Sequence, residues 1–153
     1  MPGLVQDITG NDLSYRIIGA AMHVHNCLGP GYKEEVYENA LFAELRQREI
    51  QVENQYPCYV YHAGEQVGIF YLDLFVEGKV VVELKAFSHQ LTNDELAQVI
   101  NYLRAAQAPL GLLFNFGRRS LEFRRVFPGP KTGEVQRIGR DDILKKGRDE
   151  RVP

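Results

Sequence analysis

Cysteine is scarce in this chain. Cys27 and Cys58 are the only two, and no framework spacing links them. That excludes a cross-linked secreted scaffold and predicts free thiols in a reducing compartment. Long apolar runs are also missing: none approaches the ~18 residues that a membrane-spanning helix needs. No basic segment followed by an apolar one opens the sequence, so no export signal is expected. These absences predict a cytoplasmic protein with no membrane partner. Net charge is small as well, −2 at pH 7, which gives no bulk attraction to nucleic acid. Internal repeats and low-complexity segments are lacking.

What remains is a chain of 153 residues with 44% hydrophobic content, enough for one domain with a real core. Its charges are unevenly placed. Residues 1–117 hold 7 Lys/Arg against 14 Asp/Glu, whereas residues 118–153 hold 11 against 6. A basic end on an acidic body can steer a polyanion, although a solvated tail has the same composition. Apolar residues thin out after Pro128-Gly129-Pro130. The reading is a single domain over 1–127 followed by a polar, basic tail over 128–153.

Helical spacing of Leu13, Ile17, Ile18, Ala21, Val24 and Leu28 predicts a first helix over 11–28, stopped by Gly29-Pro30-Gly31. His23 and Cys27 share one face of it and make only half a zinc site, while His25 points away. A second helix is predicted over 32–49, with Val36, Tyr37, Ala40, Leu41 and Leu45 as its buried stripe. Glu34, Glu35 and Glu38 crowd its first turns. The macrodipole accounts for one or two of them. Glu34 and Glu38, four residues apart, repel unless a cation faces them.

Strands are predicted over 51–61, 67–76 and 79–87. Pro57 in the first of them suits an edge or a bulge. Thr92 and Glu95 form a capping box that starts a helix over 92–106. Leu110–Phe116 reads as a strand buried on both faces, and 121–127 as a half-exposed outer strand. A short helix around 141–146 is the only element expected in the tail. The order predicts an α/β or α+β sandwich, with a mixed central sheet flanked by helices.

Asp73, Glu83 and Lys85 lie inside the apolar hairpin of 71–87, where charges are costly unless paired or metal-bound. Glu83 and Lys85 share a face by alternation. Asp73 joins that face only if the turn has an odd number of residues. A three-residue loop, Val76-Glu77-Gly78, would pair Phe75 with Lys79 and Asp73 with Val81, setting Asp73 and Glu83 as diagonal neighbours. Two carboxylates beside a lysine suit a hard cation such as Mg²⁺, with Mn²⁺ as a substitute, acting on a phosphate. The competing reading is an Asp73/Glu83–Lys85 ion-pair cluster tying the strands together.

Asp73, nine intervening residues, then Glu83-Leu84-Lys85 resembles the D…ExK core of the PD-(D/E)XK nuclease superfamily. Gln98-Val99-Ile100-Asn101-Tyr102 resembles the QxxxY motif of its exonuclease-type branch. Gly31-Tyr32-Lys33-Glu34-Glu35-Val36-Tyr37 is similar to the pattern that names the GxxExxY protein family, and the likeness covers roughly residues 12–127. The resemblance implies a restriction-endonuclease-like core and a Mg²⁺-dependent nuclease acting on nucleic acid, DNA ahead of RNA. It implies Asp73, Glu83 and the Leu84 carbonyl as metal ligands, and Lys85 as the catalytic lysine. Glu34 would complete the acidic cluster, with Glu38 as the alternative. Gln98 and Tyr102 would position the lysine or touch the nucleic-acid backbone. The chain departs from the pattern at Glu95, where relatives often carry histidine, and at Leu72, where the superfamily has proline.

The alternative function is a catalytically silent nucleic-acid-binding or complex-forming subunit, gripping phosphates through Arg118, Arg119, Arg124 and Arg125. So short a domain leaves little room for specificity elements, so a homodimer or a protein partner is also expected.

Overall fold

The computed structural model describes residues 11–129 and 136–139. Among these residues three helices and six strands follow one another: α1 (Asn11–Leu28), α2 (Glu34–Gln47), β1 (Val52–His62), β2 (Glu65–Val76), β3 (Val80–Lys85), α3 (Asn93–Ala106), β4 (Leu110–Asn115), β5 (Glu122–Val126) and β6 (Gln136–Gly139). The strands form one sheet in the order β5-β4-β3-β2-β1-β6. β3 and β4 run parallel and all other pairs antiparallel, so α3 is the crossover between the parallel strands. This is the expected mixed sheet with helices on both faces.

Strand alternation divides the core. Leu74, Val82, Leu84, Leu112 and Phe114 pack under α1 and α2 with Tyr37, Leu41 and Leu45. Val81 and Leu113 pack under α3 with Val99 and Leu103. All six residues of β4 are buried, as a strand covered on both faces should be. α3 comes close enough to the sheet that a Cβ on Gly111 would stand 2.9 Å from Val99. Thr92 and Glu95 form the capping box that the sequence predicts.

Three expectations need correction. α2 begins at Glu34 and ends at Gln47, and Val36 is 38% exposed, because the buried face runs through Tyr37, Leu41 and Leu45 alone. Within the stretch read as a polar tail, Gln136–Gly139 pair with Cys58–Tyr61 at the sheet edge. Backbone pairing there needs no apolar sequence, so the composition gave no warning. Pro57 sits one residue before that paired segment begins, where its missing N–H removes nothing from the β6 ladder. The helix expected around 141–146 lies outside the described residues.

The third correction concerns the hairpin. Its loop has three residues, as the parity argument requires, but they are Glu77, Gly78 and Lys79. Val76 pairs with Val80, and Phe75 with Val81. Glu77 and Gly78 both take left-handed φ, 52° and 64°, and the Lys79 N–H closes the turn on the Val76 carbonyl at 3.0 Å. Continuing the register sets Asp73 directly opposite Glu83, not diagonal to it.

Candidate metal and active site

The sheet changes phase at Asp73. Leu74 and Val76 belong to the α1/α2 side of the core, whereas Leu72, two residues back from Leu74, belongs to the α3 side together with Phe70. Simple alternation would keep Leu72 and Leu74 together. The inversion lies between the paired residues Asn54–Leu74 and Tyr56–Leu72, and there Gln55 adopts a left-handed φ of 48°. Asp73, opposite Gln55, therefore stands at a break in the pleat with access to both layers.

Two hydrogen bonds hold the carboxylates of the hairpin together. The Leu84 N–H donates to Asp73 Oδ2 at 2.9 Å, and the Asp73 N–H donates to Glu83 Oε1 at 3.1 Å. Each acidic side chain thus grips the other's strand. Glu83 is only 4% exposed. Burial, then the Asp73 charge, push its carboxyl well above the ordinary carboxylate range.

α2 adds the other wall. Glu38 accepts a hydrogen bond from Gln55 Nε2 at 2.9 Å and lies within hydrogen-bonding reach of Asp73. Burial first, opposed by the Gln55 bond and reinforced by Asp73, raises its carboxyl to about 7. Glu34 is raised too, chiefly by burial; the Lys85 charge opposes that and the Asp73 charge adds to it. The spacing that looked repulsive in the sequence is repulsive in the fold. The GPGY turn before α2 is pinned by Tyr37, whose hydroxyl donates to the Gly29 carbonyl at 2.5 Å and accepts from the Tyr32 N–H at 3.2 Å. Gly31 takes φ 113°, which favours glycine. Glycine, glutamate and tyrosine at this spacing place Glu34 at the site through a locked turn.

Lys85 is half-buried at the end of β3. Among the described residues it forms no ion pair within 4.0 Å. A strand-tying ion-pair cluster is therefore not what the charges do. Lys85 acts through space on Glu34 and Glu83. Tyr102 is half-buried and stacks on Phe70 with ring centroids 4.3 Å apart. Burial, then Glu83 and Asp73, raise its hydroxyl pKa, so it borders the acidic cluster. Gln98, one turn earlier on α3, is exposed. Cys58 is buried on the same side, with its thiol pushed up to about 12 by burial and by Glu83.

The donor set is all oxygen, the chemistry of a hard cation. No group of three or more His, Cys, Asp or Glu among the described residues is already gathered as a ligand set. The hydrogen bonds explain this, since Asp73 and Glu83 each commit an oxygen to a backbone amide. Asp73 is also in reach of two carboxyls, Glu83 and Glu38, contacts that attract only with positive charge between them. Protons supply that charge in a metal-free cluster, and a divalent ion carries the equivalent of two. A pair of carboxylates, with water and substrate oxygens completing the shell, is a normal Mg²⁺ arrangement. The residues fit the group.

Other sequence candidates are dispersed. His25 is a buried core histidine whose Nε2 donates to the Arg118 carbonyl at 2.8 Å. His23 and Cys27 touch at 3.6 Å on an exposed face, with Glu44 3.9 Å from His23. The four arginines divide. Arg125 bonds Ser14 at 3.3 Å and covers the Tyr15 ring, holding β5 to α1. Arg118 and Arg124 flank Glu122 at 3.6 and 3.7 Å, and Arg119 is exposed. Two residues escaped the sequence reading. Gln55 gave no signal, since nothing marks a glutamine for left-handed φ. Asn115 did, as the single amide in an apolar run: it is fully buried and fastens the ends of β3 and β4 together.

No helix among the described residues is long and apolar enough to cross a membrane. Comparisons with curated proteins and with solved structures gave no match. A family profile for the PD-(D/E)XK nuclease superfamily matches residues 11–126, from the start of α1 to the end of β5. That span holds the whole acidic cluster and the strands that build it, and the chain belongs to the PD-(D/E)XK nuclease superfamily.

Proposed function

We propose that the protein is a Mg²⁺-dependent nuclease that hydrolyses nucleic-acid phosphodiester bonds, with DNA ahead of RNA, in the GxxExxY branch of its superfamily. The observation that carries this reading is the reciprocal clasp of Asp73 and Glu83, two acids held face to face and in no ion pair among the described residues. Asp73, Glu83 and the Leu84 carbonyl would hold the ion, with Glu34 or Glu38 closing the shell. A divalent ion held there would supply Lewis-acid polarisation of a phosphoryl oxygen and a more acidic water. Lys85, in no ion pair among the described residues, is available to orient that water and to offset the negative charge growing on phosphorus. Glu34, when ionised, would take the water's proton. The attacking oxygen would bond to phosphorus as the P–O bond to the leaving sugar breaks, and the leaving oxygen would take its proton from solvent water. Tyr102 borders the cluster and keeps Lys85 and the ligands positioned, with Gln98 beside it on α3.

A second reading has its own support. Val67, Ile69 and Tyr71 are 61%, 44% and 51% exposed along β2, an apolar stripe unusual on a lone domain and suited to a homodimer or a protein partner. A complex-forming subunit without turnover would use the same stripe. Cleavage assays with Mg²⁺ or Mn²⁺ on single- and double-stranded DNA and on RNA separate the two. The nuclease reading expects cleavage that falls at least a hundredfold in Lys85→Ala and Asp73→Ala. Salt-dependent binding with no cleavage of any substrate would favour the silent subunit.

A further inference from the structure

A cleft of about 500 Å³ opens where β3 and β4 end, walled by Ser88 and by the loop from Gly117 to Glu122. Hydrogen bonds to the Asn115 amide tie its framework together. Asn115 Oδ1 accepts from the Phe87 N–H at 2.8 Å and the Gly117 N–H at 3.1 Å, while Nδ2 donates to the His89 carbonyl at 2.9 Å and to Glu122 at 3.2 Å. A Cβ on Gly117 would collide with the Phe87 carbonyl, so the two chain exits are pressed together. The cleft is thereby locked to the strand that carries Lys85.

Its charge is opposite to that of the acidic cluster. Residues 118–125 hold four arginines and one glutamate. Glu122 is 12% exposed in its side chain and accepts from the Leu91 N–H at 3.1 Å, which fixes it as an inward anchor for Arg118 and Arg124. Among the described residues Arg119 has no ion pair, and it lines the cleft with the hydroxyls of Ser88 and Ser120. Guanidinium and hydroxyl donors match phosphate oxygens. None of the described residues that line the cleft is aromatic, so none of them can stack on a base. Contacts of this kind fix a strand's position without reading its sequence.

Resting on the nuclease reading, we infer that this cleft is a phosphate subsite: Arg119, Arg118, Ser88 and Ser120 hold one backbone phosphate of the bound strand beyond the bond being cut. Ser88 lies three residues past Lys85, roughly 10 Å along extended chain. That distance spans about one to three nucleotides of a strand. The cationic subsite also answers an electrostatic difficulty, since Asp73 and the three glutamates near it, Glu34, Glu38 and Glu83, repel the polyanion they are meant to cut when they are ionised.

The test measures binding of a fluorescent oligonucleotide with Ca²⁺ replacing Mg²⁺, for wild type, Arg119→Ala, Arg118→Ala and Lys79→Ala. The last removes one charge at the opposite end of β3. Arg119→Ala should weaken binding roughly tenfold and lower the salt slope by about 0.7–0.9. Lys79→Ala should do neither. Single neutral methylphosphonate linkages, walked along the strand, should include one position that costs wild type the same tenfold and costs Arg119→Ala nothing more. Equal losses in Arg119→Ala and Lys79→Ala, additive losses at every linkage, or no binding by wild type would overturn the subsite. Intact Arg119-dependent binding without metal-dependent cleavage would leave the subsite standing and remove the nuclease reading.

Discussion

Glu83 is a buried carboxyl held against a second one. It is almost fully buried, faces Asp73, and has Lys85 nearby without contact. In the metal-free protein such a carboxyl keeps its proton to higher pH than an exposed glutamate, because ionising it away from water next to another anion is costly. Glu83→Gln keeps the shape and removes the titration. It should leave the metal-free melting temperature unchanged or slightly higher, while abolishing the rise in melting temperature that Mg²⁺ or Mn²⁺ gives wild type. Thermal denaturation with EDTA and with excess metal checks both halves. A Glu83→Gln protein still stabilised by metal to the wild-type extent would move the ligand elsewhere. Cys58, buried beside Glu83 with a thiol raised to about 12, should resist thiol reagents in the folded protein while exposed Cys27 reacts.

Among the elements, the turn into α2 sets the site because it aims Glu34 and Glu38 at Asp73. Tyr37→Phe removes both hydrogen bonds that pin this turn, to Gly29 and Tyr32, and retains the stacking on Phe116. A loss of about 1–2 kcal/mol in denaturant unfolding is expected, together with weaker metal binding. Thr92→Ala should cost about 1 kcal/mol through its lost cap and leave metal affinity alone. Both elements were legible in the sequence, the first as glycine, glutamate and tyrosine at fixed spacing and the second as a capping box. The hairpin was legible only in part. Parity rests on glycine placement and was readable, but the register depends on whether Val76 or Lys79 enters the loop, and that is decided by packing: Val76 is fully buried in the α1/α2 core. The phase change at Gln55 and Asp73 was hidden, because a left-handed glutamine leaves no mark on the hydrophobic pattern. β6 was hidden for the complementary reason, since edge pairing is a backbone property.

At the scale of the whole molecule, the fold places an acidic face and a basic loop at the same ends of β3 and β4, and its stability should report the acidic one. Glu83 and Glu38 have carboxyls raised above the ordinary 4.5, Glu38 to about 7. Between those values the folded state binds more protons than the unfolded state, so metal-free stability falls as pH rises. The advantage is complete below about 4.5 and, for Glu38, gone once pH has passed about 7. A divalent ion competes with those protons, so metal should stabilise most at the higher pH and reverse the trend. Denaturant midpoints at pH 5.5 and 8, with and without metal, give the sign directly. The central claim, that Asp73 and Glu83 jointly hold a divalent cation, is tested most directly by anomalous diffraction from a crystal soaked in Mn²⁺. The account predicts one strong peak between the Asp73 and Glu83 carboxylates, lost in Asp73→Ala. A crystal that binds Mn²⁺ elsewhere, or leaves those two carboxylates bonded to their backbone amides at saturating metal, would contradict it.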